Sequence, residues 1–324
     1  MREWDVMTSL LGDTDGYGLT HGSQFHSPPL VSAIYGAMDW VYKFDDKSSA
    51  CCVSSSTMYD VQRDDLVLRE LHRAAADAGR RGISIPSEDL ASVQRIAPSR
   101  GAAQQAIQWL VRSGRVVRVR KDLLVLPETT GHLVVDMVDL VDAVARRPYL
   151  ITAGRALEYH GLTDQHFFGV SVLTPDQIEP LRFRGQTAKF FPTTPEHIWG
   201  ASRGTGPRYA CPERAIVDAL NHPRYGVSLN QAIGALLMAS AHDERFLGRL
   251  HKTVVRYNSP AAARRVGLVV ARFLGPAAAA PYRPLIGQNR SPVLMRPRGK
   301  SDGELDRTWL VKVNALLEPE QVSA

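Results

Sequence analysis

Between residues 99 and 112 three glutamines and two arginines recur at helical spacing. Side chains of these two types carry the paired donors and acceptors that match adenine and guanine edges in a major groove. Gln104, Gln105 and Gln108 are therefore the candidates for reading bases, with Arg100 and Arg112 on the same polar face. Ser99 stands where its hydroxyl and the first-turn amides would meet a phosphate. Arg115, Arg118, Arg120 and Lys121 follow at once, and residues 91–121 hold seven basic side chains and no acidic one. Such a stretch suits a polyanion, with arginine and lysine acting on phosphates whatever the sequence and the glutamines discriminating between bases.

The elements that must position these groups are legible nearby. Ser99 is a good N-cap and Gly114 a good C′ residue, which brackets a helix of about four turns. Within it Ala103, Ala106, Ile107 and Leu110 form an apolar stripe opposite the glutamines. Past Gly114 the period becomes two: Val117 and Val119 point one way, Arg118 and Arg120 the other, and 123–126 returns as a partner strand. Upstream, Leu66, Val67, Leu71, Ala74 and Ala78 mark an amphipathic helix ending at Gly79, residues 83–86 an extended piece, and Ser87-Glu88-Asp89 the start of a helix ending near Gln94. Helix, strand, helix, turn, helix, hairpin is the order of a winged helix-turn-helix, whose third helix enters the major groove while the wing touches phosphate. A solvated surface helix in an unrelated α/β protein is the alternative.

With 324 residues, 44% of them hydrophobic, the chain has material for two cores. The expected class is α+β. Residues 1–57, with three basic and seven acidic side chains and little periodicity, read as a poorly ordered extension, and Met58 as an alternative start that intact-mass measurement would test. Residues 58–128 form the winged helix-turn-helix and 132–316 a larger mixed α/β domain. In the latter, helices are expected over 133–145, 149–161, 213–220, 229–239, 245–257 and 261–274. Strands are expected over 167–173, 182–191 with a turn at 184–186, 208–211, 293–295 and 309–313, with 276–281 as a linker. No apolar run reaches the roughly 20 residues a membrane span needs, and no signal peptide opens the chain, so the expected location is the cytoplasm and no membrane partner is expected. Cys51, Cys52 and Cys211 have neither disulfide nor zinc spacing. A net charge of +6 favours an acidic partner.

A second basic region spans 245–300, with twelve basic residues and no Asp or Glu; Arg249, Lys252, Arg256, Arg264, Arg265 and Arg272 are its candidate contact residues. It could meet DNA, an acidic face of a partner or second subunit, or solvent. His160 reads as a helix-end histidine on last-turn carbonyls, Glu213, Arg214 and Asp218 as a surface helix pair with a cap, and Trp109 as core. With no P-loop, His-Glu-x-x-His or nucleophile elbow, and no Asp-x-Asp or Asp-x-Glu pair following Gly22-Ser23, neither enzyme, cofactor nor metal site is expected.

The segments 110–127 (LVRSGRVVRVRKDLLVLP), 151–165 (ITAGRALEYHGLTDQ), 212–220 (PERAIVDAL) and 264–275 (RRVGLVVARFLG) resemble the AbiEi-type antitoxins, the transcription-regulating partners of abortive-infection toxin-antitoxin pairs. The resemblance extends over about residues 60–315. The family's wing tip commonly has a glycine followed by an aromatic residue, where Asp122 and Leu124 stand here. The resemblance implies a cytoplasmic repressor that binds inverted repeats in its own promoter; since symmetric operators meet symmetric proteins, two copies are expected on the DNA, as a homodimer there. It also implies a cognate toxin of the nucleotidyltransferase class. The rival expectation is a protein-interaction antitoxin that sequesters such a toxin and binds DNA only generically.

Overall fold

The computed structural model describes residues 55–77, 82–84, 95, 97, 99–126, 135–145, 148–202 and 206–319. The expected extension 1–57 lies outside them except for its last three residues, and so do the expected helix at 87–94 and the linker at 127–131. The first described helix, α1 (Ser55–Asp77), begins three residues before Met58. Strand β1 (Gly82–Ser84) and helix α2 (Arg100–Arg112) follow, then the hairpin of β2 (Val117–Arg120) and β3 (Leu123–Val125). β3 is the centre of this small sheet, antiparallel to β1 on one side and to β2 on the other. The pairing with β2 shifts register between Arg118 and Arg120, a bulge at Val119.

A second sheet has the order β4-β5-β7-β6, from β4 (Leu150–Thr152), β5 (Gly169–Thr174), β6 (Leu181–Phe183) and β7 (Gln186–Pro192). β5 and β7 are parallel, and the outer pairings are antiparallel. Helix α3 (Met137–Val144) covers one face, opened by a capping box between Asp136 and Asp139. Behind the other face come α4 (Gly154–Tyr159), α5 (Pro212–Asn221), α6 (Leu229–His242), α7 (Phe246–Tyr257), α8 (Pro260–Phe273) and the short α9 (Pro276–Ala279). A third sheet, β8 (Val293–Leu294), β10 (Val311–Val313) and β9 (Glu304–Asp306), closes the chain. It bears on α8 through Trp309, whose ring lies so close to Gly267 that an added Cβ would come within 2.1 Å of it.

Two differences from the sequence reading have physical causes. The segment 149–161 is a strand and then a helix, because Leu150 to Thr152 are buried on both faces and so show no alternation. The expected linker 276–281 is instead helical, with Pro276 at the first position of α9 and alanines behind it.

Among the described residues three hydrophobic cores divide the interior. The first joins Val67 and Leu71 of α1 to Ala103, Ile107 and Leu110 of α2 and to Leu124 and Leu126. The second joins Leu123 and Val125 to Met137, Leu140 and Val141 of α3 and to Ile151, Val172 and Phe190 of the four-stranded sheet. The third gathers Leu150, Leu173 and the helices α4 to α8. Alternate side chains of β3 thus enter different cores, as the period of two demands. The apolar face of the hairpin, with half-buried Val117 and Val119, packs onto the second core.

Candidate nucleic-acid interface

Helix α2 is held at both ends. The Ser99 hydroxyl accepts the Ala102 amide at 3.1 Å, the Ser113 amide reaches the Trp109 carbonyl at 2.8 Å, and Gly114 turns the chain at φ +74°. With Ala103, Ala106, Ile107 and Leu110 buried, the helix has one rotational setting. That setting leaves Arg100, Gln104, Gln105, Gln108 and Arg112 exposed. Trp109, expected in the core, is 41% exposed, because it stands on the helix side away from the apolar stripe.

An open cleft of about 1110 Å³ runs along this surface. Arg100, Gln104 and Gln108 line it from the helix, and Arg118, Arg120 and Lys121 from the hairpin. Gln105 and Arg112 are not among its lining residues, so the expected contact set divides between two sides of α2. The opposite wall is the loop from β5 to β6, with Asp176, Gln177 and Glu179. Two carboxylates therefore face the arginines across the opening, which nothing in the local sequence of 99–121 announces. Two of the expected phosphate contacts are engaged within the chain. Arg115 Nη2 lies 2.6 Å from Asp65 Oδ1, and Arg120 binds Asp122 through two nitrogens, one of them at 2.8 Å. Arg118 and Lys121 are exposed at the mouth.

The second basic region does not form one surface. Arg264 is 2% exposed and gives its guanidinium to the carbonyls of Ile286 at 3.0 Å, Ser291 at 2.8 Å and Asn289. Arg265 is 8% exposed, donates to Leu294 O at 2.8 Å and Asn221 Oδ1 at 2.6 Å, and is pushed down by burial to about 10. Both tie α8 to the segment that follows it, so neither is available as a contact residue. Arg249 is shared between Glu213 at 2.6 Å and Asp243 at 2.7 Å. Lys252 and Arg256 on α7 and Arg272 on α8 are exposed, with Arg256 lying 4.5 Å over the Trp199 ring. The residues 245–300 lack acids in sequence, but Arg249 finds its carboxylates outside the stretch, and Arg264 and Arg265 donate to neutral oxygens inside the fold.

The supposed surface pair on α5 is a buried charge network. Glu213, Arg214 and Asp218 are 4%, 4% and 1% exposed, because residues 213–221 of α5 are all covered. Asp218 accepts from Thr152 Oγ1 at 2.6 Å, Tyr257 OH at 2.9 Å and Arg214 Nε at 2.9 Å. Arg214 lies between the rings of Trp199 at 4.4 Å and Tyr257 at 4.7 Å. Burial, with the Asp218 charge beside it, raises Tyr257 well above the usual phenol range. Burial holds His222, whose Nε2 is 3.0 Å from Tyr257 OH, below its ordinary value. PERAIVDAL itself gave no signal for this network, because Arg214 and Asp218 share one side of the helix as a surface pair would, and the rings that cover them come from Trp199 and Tyr257. His160 is also structural, but its Nε2 meets the Ala210 carbonyl at 2.8 Å rather than a carbonyl of its own helix. Cys211, half-buried and unpaired, is raised by burial to about 11.

No family model matches the chain, and no curated protein matches it by sequence. Its fold is similar to the crystal structure of the RV2827C protein from Mycobacterium tuberculosis, with a TM-score of 0.54 at 13% identity, over 76% of this chain and 90% of that one. At that identity the likeness speaks for the fold alone. Among the described residues no helix is long and apolar enough to cross a membrane.

Proposed function

We propose that the chain is a sequence-specific DNA-binding repressor that serves as the antitoxin of a toxin-antitoxin pair and regulates its own operon. In this reading residues 58–128 are a winged helix-turn-helix with α2 as the recognition helix, and 132–316 are the antitoxin-like body. The observation that carries the DNA part is the cleft. A capped helix presents Gln104 and Gln108 beside Arg100, and an adjoining hairpin brings Arg118 and Lys121 to the same opening. The antitoxin part is carried by the sequence resemblance of 110–127, 151–165, 212–220 and 264–275. Operators with inverted repeats are met by two copies, in this reading on the DNA itself. The chemistry of a nucleotidyltransferase-class toxin then belongs to another chain in the cytoplasm.

Titration against the DNA upstream of the coding sequence and against a scrambled duplex, at two salt concentrations, tests this. Tighter binding to the native duplex, lost in Gln104→Ala with Gln108→Ala, is the expected result. Equal binding to both duplexes overturns the base-reading role. A second reading, a toxin-sequestering protein with only generic DNA binding, is favoured by one observation: Asp176 and Glu179 face the cleft, and phosphate entering there would meet like charge.

A further inference from the structure

Separate from the cleft, a cavity of about 360 Å³ opens beside α5, in the size range of small-molecule sites. Its lining contains Arg214, Arg224, His197 and His222, and no carboxylate. Arg214 commits only its Nε to protein, in the bond to Asp218, and the two flanking rings fix the plane of its guanidinium. Its terminal nitrogens make no further hydrogen bond among the described residues. That leaves the fork of a buried arginine open on the cavity it lines. The charge of Asp218 is spread over three donors, so it offsets the arginine without covering that fork.

Arg224 supplies a second cation from a different wall. It lies 5.0 Å over the Phe191 ring, and among the described residues no carboxylate pairs with it. Tyr257 gives its proton to Asp218, so His222 Nε2 donates to the phenol oxygen and Nδ1 of the same ring is left as an acceptor, which becomes a donor only when the ring takes up a proton. The first turn of α8, capped by Ser259 at the cavity, adds the positive end of a 14-residue helix. Two arginines and a helix dipole converge from separate segments onto one volume. A planar carboxylate occupies one arginine fork. A tetrahedral dianion has oxygens for both.

We infer that this cavity is a binding site for a small phosphomonoester, gripped between Arg214 and Arg224. The site is independent of the proposed DNA contacts, since none of its lining residues belongs to the cleft. Isothermal titration and thermal unfolding of the full chain, with inorganic phosphate, adenosine monophosphate and citrate as probes and sodium chloride at matched ionic strength as control, test it. Phosphate and the nucleotide should bind and raise the unfolding temperature beyond the salt control, citrate less so. Arg224→Ala, at an exposed position, should weaken binding at least about tenfold with the unliganded unfolding temperature unchanged. Arg214→Lys, which keeps the charge but not the fork, should do the same provided it folds. Arg272→Ala, on a surface away from the cavity lining, should leave binding intact. No response to either phosphate probe, tighter binding of citrate, or equal binding by Arg224→Ala each overturns the assignment.

Discussion

The outer face of α2 and the inner end of α5 are built from the same residue types and use them in opposite ways. On α2, arginine and amide side chains stand in solvent over a stripe of alanine, isoleucine and leucine, so the helix is stable without them. On α5, arginine and carboxylate are buried, with Asp218 satisfied by Arg214, Thr152 and Tyr257 together. A charge at the surface can be spent on a ligand at no cost to the fold, whereas a buried one holds the fold whatever else it binds. Substitutions in the two places should therefore separate binding from stability.

The largest effect is expected from Asp218→Ala, which strands Arg214 in the interior. Breaking a buried pair costs about 3–5 kcal/mol, read as a lower denaturant midpoint with an unchanged slope. Arg264→Ala should come next, at about 2 kcal/mol or more from unsatisfied buried carbonyls, while exposed Arg272→Ala stays within about 0.5 kcal/mol. A similar cost for both would return Arg264 to the surface. Gln104→Ala with Gln108→Ala should leave stability within about 0.5 kcal/mol and, in the proposed reading, remove about 1–3 kcal/mol of discrimination per base pair read. Arg118→Ala should lower the salt dependence of duplex binding by about one phosphate contact, and Arg120→Ala by less, since Asp122 already holds that guanidinium. The smallest effect is a slope. His222 is held neutral in the fold, so as pH falls through its ordinary value of 6.5 the unfolded chain takes up a proton that the native chain refuses. Stability should then decline with acidification, and His222→Gln should flatten the decline.

What the sequence disclosed follows from the range of the forces involved. The limits of α2 could be read from Ser99 and Gly114, and the hairpin from strict alternation, because capping and pleating act within a few residues. The buried strand β4 gave no such sign, since both its faces are covered. Neither did the opposite wall of the cleft, where Asp176 and Glu179 are brought to the arginines by tertiary packing across more than fifty residues. The arginine-rich stretch 245–300 misled for the same reason: absence of acids along the chain says nothing about Glu213 arriving beside Arg249. The cavity beside α5 draws on residues from 173 to 259, and a one-dimensional pattern cannot assemble it.

Strand β3 is the party wall of two interiors, with Leu124 facing one and Leu123 and Val125 the other. Severing the chain behind it would strip one side of that wall and leave a bare oily ribbon, so an excised amino-terminal fragment should clump rather than behave as a free-standing reader.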